Sequence, residues 1–245
     1  MIENHAVGLV WSDECDGGAW APPDPSLWGM RESDEWQPLA ELQTYTGDID
    51  NAHYDGEGRL ILIALRHHSS FSSARLSARH ATCRHLFHYG RFEARIRVPD
   101  GKGLWPAWWL LGEDDRYGWP DCGEIDVMEA PSGLDTFGEI HQGTHSPATG
   151  SGAAVSVGVS PSKGTWADAF HTYAAVWRPG TVTFLIDGVR TGQVTRAQVE
   201  RAGGAWHFDV RALSPVLNLA VGGWAGEPGT WTREEMWVDW VRIWA

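Results

Sequence analysis

The chain contains 245 residues, and its 19 lysines and arginines against 32 aspartates and glutamates give a formal net charge of −13. This balance argues against a nucleic-acid partner, because phosphate groups are bound by clustered positive charge. Hydrophobic residues form 42% of the chain and charged residues 21%, which excludes a disordered protein and leaves one globular domain over residues 1–245 as the expectation.

The N-terminus lacks the features of a targeting segment. Residues 1–5 are MIENH, without the basic and apolar regions of a signal peptide, so we expect that any signal peptide is absent from this sequence. Cys15, Cys83 and Cys122 permit at most one disulfide and show no Cys-x-x-Cys spacing. The longest apolar stretch, residues 104–111, is far shorter than the roughly 20 residues of a membrane-spanning helix, so no membrane association is expected.

Alternation of apolar and polar residues, typical of half-buried strands, recurs along the chain. It is clearest over residues 92–98 and again over residues 181–187, which end in the tight-turn sequence Asp187-Gly188. A short helix is predicted over residues 196–201. Many short strands separated by turn sequences favour a sandwich of antiparallel sheets. Further strands are predicted at 59–66, 137–145, 171–177, 216–221 and 237–244, and loops at 13–36 and 150–164.

Three carboxylates lie within six residues of an otherwise apolar, strand-like segment, residues 123–130. On a regular strand Glu124 and Asp126 share one face, whereas Glu129 points to the other. A β-bulge at Val127-Met128 would turn two successive apolar side chains toward the core and return Glu129 to the face of the other acids. The segment therefore predicts a bulged strand with three acids on its outer face.

The spacing of the acids limits the reaction they could catalyse. The Cα atoms of Glu124 and Glu129 would lie about 13 Å apart along such a strand. Side chains leaning toward each other could bring the two carboxyls to roughly 5–6 Å, a separation that suits a retaining glycosidase and is too short for an inverting one. The alternative is a solvated acidic face without a catalytic role.

Tryptophan is unusually frequent, with 16 residues against 7 phenylalanines and 5 tyrosines, which indicates a flat ligand such as a sugar. Trp105 and Trp109 share one face of a predicted strand, and Trp119 and Trp224 lie in segments that could wall the same cleft. The alternative for any one of these indoles is a place in the core.

These segments resemble glycoside hydrolase family 16, in its laminarinase-like branch of bacterial endo-β-1,3-glucanases. The resemblance covers nearly the full length of the chain. It is carried by VWSDE at 10–14, ELQ at 41–43, YGRFEAR at 89–95, residues 103–112, the acids at 124–129, FHTY at 170–173, LNLAVGG at 217–223 and VDWVR at 238–242.

The resemblance implies a β-jelly-roll sandwich of two curved antiparallel sheets with a substrate cleft on the concave face. Glu124 corresponds to the nucleophile, Glu129 to the general acid/base and Asp126 to the carboxylate that tunes the nucleophile. The implied protein is a secreted, monomeric, retaining endo-β-1,3-glucanase acting on β-1,3 or mixed-linkage β-1,3-1,4 glucan without a catalytic cofactor.

Several further roles follow from the resemblance. His141 is expected to form a hydrogen bond near Glu129, Arg75 to lie beside the substrate, and Asn218, within the LNLAVGG segment, to contact it. Trp105, Trp109, Trp119 and Trp224 are expected to bind sugar rings. A zinc site at His141 and His145 is discounted, because the pair lacks the glutamate of a zinc-binding helix and lies in strand-like sequence.

The resemblance also implies a structural Ca²⁺ on the convex side, bound by the Asp239 side chain and by backbone carbonyls near Glu14 and Gly58. A carboxylate with carbonyl oxygens suits a hard cation. The alternative is that Asp239 pairs with an arginine.

Three other functions compete with glucan hydrolysis. A non-catalytic glucan-binding module could use the same sandwich, but it would not need both Glu124 and Glu129. An agarase-like or carrageenase-like enzyme would use the same chemistry on a sulfated galactan, for which a chain with a net charge of −13 offers few basic groups. Transglycosylation in place of hydrolysis is left open by the sequence.

Overall fold

The computed structural model describes residues 8–32, 40–80, 83–132, 138–148, 153–159 and 165–245. These residues form mostly β-strands. The elements are β1 (Leu9–Asp13), β2 (Gly29–Met30), β3 (Gln43–Tyr45), β4 (Ala52–Tyr54), β5 (Leu60–His67), β6 (Ser70–Ser73), β7 (Arg75–Ser77), β8 (Arg79–His80), β9 (Cys83–Arg84), β10 (Gly90–Arg97), β11 (Leu104–Leu111), α1 (Asp114–Tyr117), β12 (Glu124–Glu129), β13 (Ile140–Ser146), β14 (Ala153–Val159), β15 (His171–Arg178), β16 (Thr181–Ile186), β17 (Val189–Thr195), α2 (Arg196–Arg201), β18 (Ser214–Val221) and β19 (Arg233–Trp244).

Two large sheets form the predicted sandwich, a β-jelly roll. The seven-stranded sheet has the order β14-β13-β12-β11-β18-β7-β2. The ten-stranded sheet has the order β17-β16-β15-β10-β19-β5-β6-β3, with β1 paired to β19 and β4 to β5. All pairs in both sheets are antiparallel except β3 with β6. One hydrophobic core joins the sheets, with Phe92 and Ile96 from the larger sheet and Trp108 and Leu217 from the smaller.

The period-two patterns predict the strands of this core. Phe92, Ala94 and Ile96 are fully buried on β10, and Val182 and Phe184 are fully buried on β16. The β16–β17 hairpin turns at Asp187-Gly188, both with positive φ as a tight turn of this type requires. Helix α2 occupies residues 196–201 as predicted and begins with a capping box between Thr195 and Gln198.

Two loop predictions are wrong in part. The segment 13–36 contains the short strand β2, which pairs with β7, and the segment 150–164 contains β14, which pairs with β13 along the sheet edge. The Gly, Ser and Ala content of the second segment concealed a strand whose pairing comes from its neighbour. Residues 33–36, 150–152 and 160–164 of these two loops lie outside the described residues, as does residue 137 of the strand predicted over 137–145.

Two further sequence expectations concern cysteines and membrane spans. Cys15, Cys83 and Cys122 are buried and free, so none of them forms the one disulfide that their number permits. No helix within the described ranges has the length and apolar character needed to cross a membrane.

Candidate active site

The predicted β-bulge lies in the middle of β12. On the neighbouring strand β11, Trp108 pairs with Met128 and Trp109 pairs with Asp126, so Val127 has no partner. Val127 and Met128 are both fully buried. This one additional residue changes the alternation of the strand and places Glu129 on the same face as Glu124 and Asp126.

A row of paired positions brings five side chains together across five strands. His141 pairs with Glu129, Glu129 with Ala107, Ala107 with Asn218, and Asn218 with Arg75. Four of the five are residues that the sequence predicts for the site. The fifth, Ala107, is small and leaves space between Glu129 and Asn218 for a ligand.

This space belongs to a solvent-open cavity of about 490 Å³ on the outer face of the seven-stranded sheet. Its floor consists of the small side chains of Ala107 and Ala220. The remaining lining residues are Glu41, Tyr45, Arg75, Trp105, Trp109, Glu124, Asp126, Glu129 and Asn218. The cavity thus contains both candidate catalytic glutamates and two of the predicted sugar-binding tryptophans.

Two indoles hold the two glutamates in place. Trp105 Nε1 donates a hydrogen bond of 3.0 Å to Glu129 Oε1, and Trp119 Nε1 donates one of 3.0 Å to Glu124 Oε2. Trp224 packs edge-on against Trp105 with ring centroids 5.6 Å apart. Because an indole N–H can only donate, each carboxylate oxygen bound to it acts as an acceptor.

The environment of Glu129 and Asp126 favours their neutral forms. Burial raises the pKa of Glu129 to about 8, and the charge of Glu124 contributes to the rise, whereas the hydrogen bond from Trp105 opposes it. Burial raises the pKa of Asp126 well above its usual range, and the charges of Glu124 and Glu129 add to this effect. Glu129 is therefore disposed to carry a proton at neutral pH, and Asp126 keeps its proton to a higher pH than an exposed aspartate does.

Glu124 is surrounded by more groups that favour the charged form than Glu129 or Asp126 is. Burial raises its pKa, but His145, the Trp119 indole, Arg75 and a hydrogen bond with Asp126 all act in the opposite direction. The same hydrogen bond raises the pKa of Asp126, as expected when a protonated Asp126 donates to an ionised Glu124. The two glutamates of the pair thus have different environments.

His145 is a site residue that the sequence did not predict. It pairs with Glu124 across the β12–β13 hairpin, and its Nε2 lies 3.8 Å from Glu124 Oε1 and 3.5 Å from Asp126 Oδ2. The donor atoms of these three residues lie within 4.8 Å of one another, so they could also hold a cation. The available signal was the spacing of four residues between His141 and His145, which places both side chains on the same face of one strand.

His141 lies on the strand that follows the acids, beside Glu129. Although it pairs with Glu129 in register, its Nε2 is buried without a hydrogen-bond partner and lies 3.9 Å from Glu139 Oε2. Its ring lies 4.6 Å from that of Trp224. The imidazole thus packs against Trp224, and the role expected for His141 near Glu129 stays a prediction.

Arg75 and Trp109 form the opposite wall. The buried Arg75 guanidinium lies 4.8 Å from the ring centroid of Trp109, a cation–π geometry. Its Nε and Nη2 have no hydrogen-bond partner, and burial lowers its pKa. Trp109 itself donates from Nε1 to Asn218 Oδ1 at 2.7 Å.

Two of the residues predicted at the calcium site, Asp239 and Glu14, have side-chain carboxylates that form ion pairs with arginines. Asp239 Oδ2 accepts a hydrogen bond of 2.5 Å from Arg95, which is the alternative that the sequence left open. The Glu14 carboxylate pairs with Arg242 at 2.7 Å. Gly58 lies in the turn before β5 with φ near +89°.

Comparison with known proteins gives a consistent result. The sequence profile of "Glycosyl hydrolases family 16" matches residues 43–242. A "Beta-glucanase" from Rhodothermus marinus is 33% identical, over 96% of this chain and 84% of the relative. A "Glucan endo-1,3-beta-glucosidase" from Cryptopygus antarcticus is 29% identical, over 96% and 91%.

A solved structure gives the same result at the level of the fold. The laminarinase catalytic domain from Thermotoga maritima MSB8 superimposes with a TM-score of 0.83 and 31% sequence identity. The alignment covers 97% of this chain and 98% of that domain. The similarity therefore extends over the complete sandwich and its cleft.

Proposed function

The chain belongs to glycosyl hydrolase family 16, and from this premise we propose that it is a retaining endo-β-1,3-glucanase that hydrolyses β-1,3 bonds within laminarin-like or mixed-linkage glucans. The similarity to β-glucanases and laminarinases over nearly the whole chain supports this activity. The observation that carries the proposal is the bulge at Val127, which gives the outer face of one strand two glutamates with different proton affinities.

In the proposed first step Glu129 is the general acid. With its pKa raised to about 8 it is protonated at neutral pH and can transfer a proton to the glycosidic oxygen as the bond breaks. Its Oε1 accepts from Trp105, so the proton resides on Oε2. Glu124 attacks the anomeric carbon, which forms a covalent glycosyl-enzyme and releases the leaving sugar.

In the proposed second step Glu129, now ionised, takes a proton from water. The resulting hydroxide attacks the anomeric carbon and displaces Glu124, so two inversions give net retention of configuration. Asp126 is proposed to tune the nucleophile, because a protonated Asp126 donates to Glu124 and stabilises its carboxylate between turnovers. The reaction needs no catalytic cofactor.

The proposal is tested by the stereochemistry of the first product. Proton NMR during hydrolysis of laminarihexaose should show the β-anomer at the new reducing end before mutarotation. Initial appearance of the α-anomer would contradict the assignment of Glu124 as nucleophile and Glu129 as acid/base.

The competing functions predict other outcomes in a substrate panel. Reducing-sugar release is expected from laminarin and lichenan, and none from agarose or carrageenan. Among the eleven residues that line the cavity, Arg75 is the only arginine or lysine, against four acids, so the lining offers few basic groups to a sulfated chain. Binding of laminarin without any release would favour a non-catalytic module.

We also propose a structural Ca²⁺ held by the Asp239 carboxylate and by the carbonyls of Glu14 and Gly58. These residues fit the ion only in part, because the Asp239 carboxylate already accepts from Arg95. A rise in melting temperature with CaCl₂ over EGTA, lost in Asp239→Asn, would support the site. Equal melting temperatures in both buffers would leave the Arg95 pair as the sole role of Asp239.

The remaining proposals concern the form in which the enzyme acts. We propose that residues 1–245 form one catalytic domain and that it acts as a monomer, because one chain supplies all the cavity-lining residues named above. We further propose that it is secreted, since a polysaccharide substrate does not cross a membrane. Light scattering of the purified chain and fractionation of the source cells test these two points.

A further inference from the structure

Glu41 is a fourth carboxylate in the wall of the cavity, and it takes no part in the proposed reaction. It lies just before β3 and forms a β-bridge to Gly222. It therefore faces the Ala107–Ala220 floor from the side of Arg75 and Tyr45, across from β12. Two separate chains of hydrogen bonds converge on its Oε2 atom.

The first chain begins at an indole. Trp109 Nε1 can only donate, and it donates to Asn218 Oδ1 at 2.7 Å, which fixes the orientation of the amide. Asn218 Nδ2 then donates to the Tyr45 hydroxyl at 3.2 Å. Because that hydroxyl oxygen is already an acceptor, its proton points onward to Glu41 Oε2 at 3.4 Å.

The second chain begins at a backbone amide. The Val221 N–H donates to Gln43 Oε1 at 2.7 Å, so this amide oxygen is an acceptor. Gln43 Nε2 therefore donates to Glu41 Oε2 at 2.6 Å. Both chains thus begin at groups that cannot accept, and they require an acceptor at Glu41 Oε2.

This arrangement leaves two residues in the cavity wall, Glu41 and Arg75, with atoms that can still form hydrogen bonds. Glu41 Oε1 is not engaged by either chain and remains an acceptor. Arg75 Nε and Nη2 are buried donors without partners. Burial raises the pKa of Glu41, whereas the hydrogen bond from Gln43, the charge of Arg75 and the Tyr45 hydroxyl oppose this rise. Buried guanidinium donors without partners are costly unless a ligand or water satisfies them.

We propose, on the basis of the function proposed above, that Glu41 binds the substrate and accepts hydrogen bonds from hydroxyl groups of a glucosyl residue on the Ala107–Ala220 floor. Arg75 donates to oxygen atoms of the same residue. The pair then selects an uncharged pyranose, since hydroxyls can both donate to Glu41 and accept from Arg75. A sulfate or uronate group at this position would meet the Glu41 carboxylate and be repelled.

Binding to an inactive background tests the proposal without turnover. Titration calorimetry would compare laminarihexaose binding to Glu124→Gln and to Glu124→Gln/Glu41→Gln. Because the convergent donors hold an oxygen at the Oε2 position, the new amide presents its NH₂ group to the sugar and replaces an acceptor by a donor. The dissociation constant should rise by roughly 10–100-fold, as for the loss of hydrogen bonds to a charged group.

A matched control removes the same charge elsewhere. Glu57 is a surface carboxylate with 74% of its side chain exposed, paired with Arg59. Glu124→Gln/Glu57→Gln should bind laminarihexaose within about twofold of Glu124→Gln, because its charge is distant and screened. Should both double variants lose the same affinity, the effect would come from net charge, and the proposal for Glu41 would be overturned.

Steady-state kinetics separate substrate binding from an effect on the catalytic acids. In the otherwise native chain, Glu41→Gln should raise KM by about tenfold or more and change kcat by no more than about threefold, with the alkaline limb of the pH profile unmoved. A shifted alkaline limb with unchanged KM would instead make Glu41 an electrostatic neighbour of Glu129. If Glu41→Gln fails to fold, Glu41→Asp, which keeps the charge, should show a smaller rise in KM.

The same measurements distinguish failure of this proposal from failure of the proposed function. If Glu124→Gln binds laminarihexaose and the additional change at Glu41 has no effect, only the role of Glu41 is overturned. If the native chain neither binds laminarihexaose nor releases reducing sugar from laminarin, the glucanase function and the role of Glu41 are both overturned.

Discussion

Charged side chains are arranged differently on the two outer faces of the sandwich. On the ten-stranded sheet, acids and arginines alternate along neighbouring strands and pair with each other. These pairs are Arg91 with Glu93, Arg95 with Asp239 and Arg242 with Glu14, all partly exposed. Such pairs contribute little to stability individually, but each places an acid beside an arginine.

On the seven-stranded sheet three acids lie close to one another, and the basic groups nearest to Glu124 are His145 and Arg75. Glu124, Asp126 and Glu129 all have raised pKa values, with burial as the largest cause. Arg75, the one cation in the cavity lining, lacks partners on two of its nitrogens. One face is therefore arranged for stability, and the other holds groups in states that chemistry requires at a cost in stability.

The largest expected effect is at the nucleophile of the second face. Glu124→Gln keeps the shape of the side chain but cannot attack the anomeric carbon, so laminarin turnover should fall by at least about 10³-fold. Calorimetric binding of laminarihexaose and the melting temperature should both remain near the native values. Retention of more than a tenth of the native activity would contradict the assignment.

The next effect is at the acid/base. Glu129→Ala should reduce turnover of unactivated glucan by about 10²–10⁴-fold and abolish the alkaline limb, which lies near the pKa of about 8 of this group. Aryl glycosides with good leaving groups need no proton and should lose least in the first step. Added azide should then yield a β-glycosyl azide. An unchanged alkaline limb in this variant would assign the acid/base role to another group.

A smaller effect concerns stability. Glu129 has a pKa of about 8 when folded and about 4.3 when unfolded, so the folded chain binds more protons between these values and its stability falls as the pH rises through this window. The side chain of the Glu129→Gln variant cannot ionise, so this variant does not lose stability as the pH rises through that window. At pH 9 the variant should exceed the native chain in free energy of unfolding by on the order of 1–3 kcal/mol, and at pH 4 the two should be equal. Urea unfolding at both pH values measures the difference, and equal stability at pH 9 would contradict it.

The smallest effect belongs to the paired face and has the opposite sign. Arg242 holds the pKa of Glu14 below its usual value, so the pair stabilises the fold above the unfolded pKa and ceases to do so as the pH falls through the folded pKa. Glu14→Gln should cost about 0.2–1 kcal/mol at pH 7 and low salt, because the pair is exposed and screened. The cost should disappear in 1 M NaCl. A loss of several kcal/mol would show that this face is more than a set of surface pairs.

Local sequence was sufficient to predict the parts of the site that lie on one strand. The bulge follows from the two successive apolar residues Val127 and Met128, because each must face the core. The faces of Trp105 and Trp109 follow from strand parity alone. These features need no knowledge of which strand is the neighbour.

The residues that the sequence missed depend on pairing between distant segments. His145 reaches Glu124 only through the register of the β12–β13 hairpin. Glu41 and Tyr45 reach the cavity because the segment around β3 crosses to the end of β18. Such registers are set by tertiary packing, which no local pattern encodes.

The unpaired Val127 also determines which kinds of mutation can change the site. A single substitution alters the chemistry of one side chain but cannot move Glu129 to the opposite face of β12, since that face is set by counting residues along the strand. Deletion of Val127 or Met128 would remove the bulge and leave a spacing of four residues between the two glutamates, so Glu129 would stay on the outer face of a regular strand. Insertion of one residue beside the existing bulge would instead turn Glu129 toward the core between the sheets. Variant libraries made by substitution alone therefore keep the pairing register of β12 unchanged. Single-residue insertions and deletions in β12 change that register and offer a separate route for engineering.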